Sequence, residues 1–150
     1  MSEPSDYPGA AASVEQLYRL ADCYAEAAHR VMDMSRKGDH LSRAPFRLNA
    51  IHAIELYLSA FLLAAGANPA CLRGLQHDLT RRSQMALDSG LVLRKATSAH
   101  LRNLCASREY LIVRYAPEQL ETVCEVTRLS ASLRDVARQV STCLANRQAT

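Results

Sequence analysis

Apolar residues recur at helical spacing near both ends of the chain. After Ser13, a candidate N-cap, apolar positions three and four residues apart predict a first helix that ends near Gly38. A second run at the same spacing begins at Val126 and reaches Leu144, and it predicts a long last helix that Pro117 opens. Each of these helices has one apolar face to bury, so we expect both to pack on a shared core.

Proline, glycine and a capping residue divide the middle of the chain into three further helical segments. Pro45 suits the first turn of a second helix, which runs to Ala65. Asp78 can cap a short third helix that ends at Gly90, and a fourth covers residues 94–107. The following segment, REYLIVRYAP, contains β-branched residues and an alanine before proline, so it is predicted to interrupt the helical pattern.

These segments predict an all-α fold: an antiparallel up-and-down bundle of four to five helices, with two long outer helices and a short third helix. The 150 residues, 49% of them hydrophobic, suffice for one core, and we expect residues 13–147 to form a single domain. Residues 1–12 contain Pro4, Pro8 and Gly9 and have little to bury, so they are predicted to be a flexible N-terminal tail.

Composition narrows the classes of function. The net charge of +3 is small, and the positive residues are nearly all arginine, which mildly favours phosphate or carboxylate contacts. The five cysteines are scattered without a C-x-x-C pair, so we interpret them as small core residues in a reducing compartment. The chain has no secretory signal pattern, no long uncharged apolar run and no common phosphate-loop or metalloprotease motif. We therefore expect a cytoplasmic protein without a membrane span, a bound metal or a cofactor.

The second helix carries a polar stripe inside the apolar stretch HAIELYLSAFLL. His52, Glu55 and Ser59 fall within one arc of this helix, among leucines rather than lysines or arginines. The stripe is either a partly buried polar site or a subunit interface, or else Glu55 lies at the rim and His52 is a packed histidine. A buried Glu55 needs a cationic partner. Arg114 is the predicted one, and the pair would hold its segment against the second helix.

His77 and Asp78 form a second candidate site, at the start of the third helix. Asp78 can cap backbone N–H groups while His77 points toward the polar stripe, and the alternative is a simple cap beside a packed histidine. Tyr115 either stacks on a nucleobase or fills the bundle. Arg81 and Arg82 belong to a group of basic residues that are interpreted as a solvated face or as contacts to an RNA backbone.

Three segments of the chain resemble the HEPN domain proteins, a family of small bacterial and archaeal helical domains. AIELYLSAFLLAAG is similar to a stretch of the family's second helix, LRGLQHDL to its G-H-D-L, and YLIVRYAP to its closing R-Y-P, in the same order. The chain departs from the family pattern at three positions. Ser59 stands where many members have a lysine, which would lie beside Glu55. Gln76 stands where glycine usually precedes the histidine, and Ala116 separates Tyr115 from Pro117.

The resemblance implies a four- or five-helix bundle, often a homodimer, that binds nucleotides, cleaves RNA or partners a nucleotidyltransferase in a toxin-antitoxin pair. We accordingly expect a homodimeric binding module for a nucleotide or a partner protein, and an enzyme is the less favoured outcome. The expected ligand-binding residues are Glu55, His77, Asp78, Arg114 and Tyr115.

Two other functions stay open. The first is a metal-independent ribonuclease, since cleaving members of the family carry an R-x(4–6)-H motif in which arginine holds a phosphate and histidine transfers a proton. The chain contains Arg47-x4-His52 and Arg94-x5-His100, but so many arginines produce such matches by chance. The catalytic candidates are His77, His100 and Arg94. The second is a purely structural interaction protein.

Overall fold

A computed structural model of the protein describes residues 7–149, and the regular structure of this part is helical, with a single isolated β-bridge between Arg36 and Asp39. The predicted all-α class is therefore confirmed. Across the described part there are seven α-helices and two short 3-10 turns, at His40–Arg43 and Pro117–Gln119. The helices are α1 Val14–Met32, α2 Ala44–Ala64, α3 Pro69–Gly74, α4 Leu79–Asp88, α5 Lys95–Ala106, α6 Glu109–Tyr115 and α7 Val126–Gln148.

Two of the predicted N-caps are confirmed. The Ser13 hydroxyl accepts from the backbone N–H of Gln16, and the Gln16 side chain accepts from the N–H of Ser13, which is a complete capping box for α1. The Asp78 carboxylate accepts from the N–H of Arg81 at 2.9 Å and so caps α4. Residues 1–6 of the predicted N-terminal tail lie outside the described residues, and residues 7–12 form a turn ahead of α1.

The structure has two short helices that the sequence pattern did not predict. Helix α3 forms because Asn68 caps the N–H of Ala70 and Pro69 has a φ angle suited to the first turn. Helix α6 was predicted to be a break in the helical pattern, and that prediction is wrong. Arg108 adopts a left-handed φ of 54°, which ends α5 and lets a new helix start at Glu109.

The predicted limits of the two long helices also need correction. Helix α1 ends at Met32 rather than near Gly38. Pro117 opens only the second 3-10 turn, and α7 begins at Val126. The residues between that turn and α7 are non-helical, and in this segment the backbone N–H of Cys124 donates to the buried carboxylate of Glu109.

Helix α2 is the centre of the fold and packs against α1, α3, α4, α6 and α7. It is buried on nearly all sides, with Phe46, Ile54, Leu58 and Phe61 fully enclosed. Burial of one such side chain stabilises the fold by roughly 1.5–3 kcal/mol, so α2 contributes a large share of the core. Small buried residues at Ala21, Ala25 and Ala28 allow α1 to lie close along it, and the buried face of α7 is Leu129, Leu133, Val136 and Val140.

The stretch His40–Ala64 is long and apolar enough to cross a membrane by length and composition. However, 67% of its most apolar 18-residue window is buried inside the fold. The central helix of a globular domain has the same composition, so this stretch is weak evidence for a membrane span. The expected absence of a span stays a prediction.

Candidate functional site

Glu55 occupies the middle of α2 and is only 7% exposed. Its Oε1 lies 3.0 Å from Nδ1 of His77, within hydrogen-bond distance. Its Oε2 lies 3.7 Å from Nδ1 of His52, one turn earlier in the helix, which is too long for a hydrogen bond. The carboxylate therefore has an imidazole on each side.

The turn between α3 and α4 brings His77 to Glu55. Gln76 has a left-handed φ of 47°, and this reversal is followed at once by His77 and by the cap Asp78. The imidazole of His77 stacks on the ring of Tyr110 in α6, with centroids 4.9 Å apart and an angle of 25° between the planes. His77 is thus held between α2 and α6 while it hydrogen-bonds to Glu55.

The environment of Glu55 favours its ionised form. Burial raises the pKa of this carboxyl, but the imidazoles of His52 and His77 and the positive charge of Arg82 outweigh burial, so its pKa lies below the ordinary value. Of the two alternatives that the sequence left open for Glu55, the structure has the buried one, and the carboxylate has the hydrogen-bonding and cationic neighbours that its burial requires.

Arg82 is a member of this centre that sequence reasoning missed. It is 5% exposed, and neither its Nε nor its Nη1 has a hydrogen-bond partner among residues 7–149. Burial lowers the pKa of this guanidinium, while the charges of Glu55 and Asp78 oppose that shift. The signal in the sequence that could have indicated its burial is its position four residues after the cap Asp78. This position lies on the inner side of α4, away from the solvated face.

We define the polar centre as Glu55, His77, Asp78, Arg82 and Tyr110. Of the predicted ligand-binding residues, the structure brings together Glu55, His77 and Asp78. All three segments that carry the family resemblance contribute to it, since Tyr110 is the first residue of YLIVRYAP. Asp78 is also 3.5 Å from the thiol of Cys105 on α5.

The other two predicted ligand-binding residues lie elsewhere. Arg114 is exposed, and Tyr115 is 75% exposed. The expected pair of Glu55 with Arg114 is not formed, because α6 is helical and turns Glu109 and Ile112 inward, which leaves Arg114 and Tyr115 on its outer face.

A different buried pair holds α6 against α2. Arg47 of α2 lies 3.7 Å from Glu109 of α6, and both side chains are almost completely buried. The carboxylate also accepts from the N–H of Cys124 at 3.0 Å. Burial and the charge of Glu109 raise the pKa of the Cys124 thiol to about 12. An ion pair that was not predicted thus joins these two elements, with the arginine on α2 and the carboxylate on α6.

The remaining catalytic candidates, His100 and Arg94, have different surroundings. His100 of α5 is buried, with Nδ1 2.7 Å from the hydroxyl of Ser132 on α7. Burial, and then the charges of Arg128 and Arg47, lower its pKa to about 4, which leaves the imidazole neutral near pH 7. Arg94 is exposed, and its backbone N–H donates to Asp135. The geometry therefore favours His77 over His100 as a group that could transfer a proton.

A cavity of about 580 Å³ lies beside the polar centre, between α1, α2 and α3. His52 and Ser59 both line it, so the polar stripe of α2 divides: Glu55 faces the polar centre, Ser59 faces the cavity and His52 contacts both. The turn at residues 7–12 forms part of the cavity wall.

Within the described part of the chain, no group of three or more His, Cys, Asp or Glu residues is arranged to hold a metal ion. Comparison of the chain with models of protein families, with curated proteins and with solved structures finds no match. A function for this protein must therefore be argued from the polar centre and the cavity.

Proposed function

We propose that the protein is a binding module for a phosphate-bearing small molecule of the nucleotide class, held at the polar centre. The observation that carries this proposal is Arg82, a buried guanidinium with two nitrogens that lack partners among the described residues. A buried guanidinium whose nitrogens lack hydrogen-bond partners has a desolvation cost that the nearby charges of Glu55 and Asp78 offset only in part, and an anionic ligand would reduce that cost. Nε and Nη1 point in different directions from the guanidinium, and charge-assisted hydrogen bonds from such nitrogens to phosphate oxygens are roughly twice as strong as neutral ones.

The neighbouring carboxylates leave these nitrogens available. Glu55 is engaged by His77, and Asp78 is engaged by the backbone of α4. Both nitrogens of Arg82 are closed off from solvent, so a ligand reaches them only after a side chain at the surface moves. The partly exposed His77 is the side chain in contact with Glu55 whose displacement would open this centre.

The proposal includes the finer features that the resemblance implies. We infer a HEPN-like antiparallel bundle built mainly from α1, α2, α5 and α7, which acts as a cytoplasmic homodimer and serves as half of a toxin-antitoxin type pair with a nucleotidyltransferase. The support is that the three resembling segments, which are separate in the sequence, meet at the polar centre.

The test is a thermal-unfolding screen of the purified protein against ATP, GTP, their mono- and diphosphates and a short RNA. A ligand at 100 times its dissociation constant stabilises by about 2.7 kcal/mol, which raises the unfolding midpoint by several degrees. We expect the shift to vanish in Arg82→Gln and to persist in Arg81→Gln, its exposed neighbour. An equal shift in both variants, or none with any ligand, would overturn the proposal, and the second result would favour a purely structural interaction protein.

One observation supports an enzyme as the second candidate. The hydrogen-bonded pair of His77 and Glu55 beside a guanidinium is the arrangement that a metal-independent ribonuclease uses to transfer a proton and stabilise phosphate charge. This function predicts cleavage of single-stranded RNA in the presence of a chelator. The activity should be lost in His77→Ala and retained in Arg94→Gln.

A further inference from the structure

The cavity between α1, α2 and α3 has the size and lining of a small-molecule site. Its volume of about 580 Å³ lies within the range of roughly 300–1,000 Å³ found for ligand pockets. Along α2 it extends from His52 to Leu63, a span of about 16 Å at the rise of an α-helix. Most of the wall is apolar, and its main apolar side chains are Leu17, Leu20, Leu56, Leu63 and Leu72.

The cavity wall has few polar groups, and its permanent charge is positive. Among the described lining residues, Arg73 is the only one that carries a permanent charge, and none is an aspartate or a glutamate. Its guanidinium lies 4.7 Å from the ring centre of Tyr7, so the two side chains form a cation-π contact at the cavity wall. The hydroxyl of Ser59 has no hydrogen-bond partner in the part of the chain that the structure describes.

We propose that this cavity binds an elongated, mainly apolar carboxylate, with the apolar body among the leucines and the carboxylate on Arg73. The permanent positive charge of Arg73, with no acidic side chain among the described wall residues, favours an anion over a neutral or cationic molecule. The length along α2 favours an extended chain over a compact one. The site is separate from Arg82 and does not depend on the nucleotide proposal.

The turn at residues 7–12 forms one wall of this site. It contributes Tyr7, Pro8 and Gly9 to the lining, and it is joined to α3 by the contact of Tyr7 with Arg73. A carboxylate that binds Arg73 competes with this exposed contact, which stabilises by only about 0.5–1 kcal/mol. Entry of the ligand therefore requires the loss of one weak contact rather than the opening of the core.

A tryptophan reporter tests the proposal, because the chain contains no tryptophan of its own. Leu20→Trp places the reporter in the cavity wall at a position that is 45% exposed, and Val92→Trp places a control at an exposed position outside the lining. The probes are decanoate and decanol. We expect saturable fluorescence changes with decanoate in Leu20→Trp and none in Val92→Trp. Equal responses in both variants, or no saturable response, would overturn the proposal.

Further substitutions in the Leu20→Trp background test the two parts of the site. Arg73→Gln should weaken decanoate binding about tenfold, as expected for the loss of one charge-assisted contact, and leave decanol binding unchanged. Ala70→Phe should fill the cavity and weaken both probes, while its unfolding midpoint shows that the protein is folded. Arg82→Gln should bind decanoate normally, which separates this site from the nucleotide site. Unchanged decanoate affinity in both Arg73→Gln and Ala70→Phe would refute the proposed site.

Discussion

Nδ1 of His77 lies 3.0 Å from Oε1 of Glu55, so one hydrogen bond between two titratable side chains joins the central helix α2 to the turn that precedes α4. The same imidazole stacks on Tyr110, which adds α6 to the contact. Three elements that are separate in sequence therefore meet at a single histidine. Substitutions at these residues can therefore measure how much the polar centre contributes to the free energy of unfolding.

We expect Glu55→Gln and His77→Ala to be strongly non-additive. Glu55→Gln removes the charge that strengthens this hydrogen bond and His77→Ala removes the bond itself, so the double variant should lose about 1 kcal/mol less than the sum of the single losses. The measurement is the free energy of unfolding from chemical denaturation. As the matched control, Glu55→Gln combined with Arg114→Met should be additive within about 0.5 kcal/mol, because Arg114 is exposed on the outer face of α6. Non-additivity in that control instead would show that Glu55 interacts with Arg114.

Arg82→Met should change stability only slightly in the absence of ligand. The substitution removes the desolvation cost of a buried guanidinium, but it also removes the positive charge that helps to keep Glu55 ionised, so we expect a net change of no more than about 1 kcal/mol in unfolding free energy. Arg81→Met, on the exposed side of α4, should change stability by less than about 0.5 kcal/mol. Marked destabilisation by Arg82→Met would mean that the guanidinium supports the fold rather than a ligand.

Breaking the buried pair of Arg47 and Glu109 should be costly. Glu109→Gln leaves Arg47 buried without its counter-charge and weakens the bond to the N–H of Cys124, so we expect a loss of about 3–5 kcal/mol. Denaturant titration at neutral pH measures this loss. Glu118→Gln, an exposed carboxylate on the neighbouring 3-10 turn, is the control and should have little effect. Similar small effects in both variants would contradict the role assigned to the pair.

Stability should fall as the pH decreases from 6.5 toward 4, with His100 as a main cause. The folded protein holds the pKa of His100 at about 4, against 6.5 for an unperturbed histidine, so the unfolded chain takes up the proton first over this window. The difference corresponds to at most about 3 kcal/mol. Protonation of Glu55 lowers the stability of the protein only at lower pH, because the pKa of Glu55 in the folded protein lies below the ordinary carboxyl value. His100→Gln should flatten the profile.

The five thiols should differ in reactivity. Cys23 and Cys71 are exposed, so the interpretation of all five as core residues is wrong for these two. At pH 8 we expect them to react first with a thiol reagent, whereas Cys124 should react only on unfolding because its pKa is raised to about 12. Mass spectrometry of the labelled protein identifies the modified positions. Rapid native-state labelling of Cys124 would contradict the buried contact with Glu109.

The candidate site could be predicted from the sequence only in part. A carboxylate within an apolar helix needs a compensating partner wherever it is buried, and this requirement correctly drew attention to Glu55. The choice of Arg114 was wrong because it assumed that REYLIVRYAP is extended. Once that segment is helical, Glu109 points inward, and the arginine that answers it comes from α2. Arg82 was overlooked for a related reason, since an arginine next to another arginine usually lies on a solvated face.

Local chemistry along the chain was sufficient for the all-α class, for the central apolar helix and for the caps at Ser13 and Asp78, because each depends on residues within a few positions of one another. The exact partners of the buried polar groups depended on packing between distant segments. A left-handed residue such as Gln76 or Arg108 redirects the chain, and the faces of every following helix turn with it. The contact of Glu55 with His77 depends on the turn at Gln76, and the cavity under residues 7–12 depends on how α1, α2 and α3 pack together, which no spacing of residues in the sequence specifies.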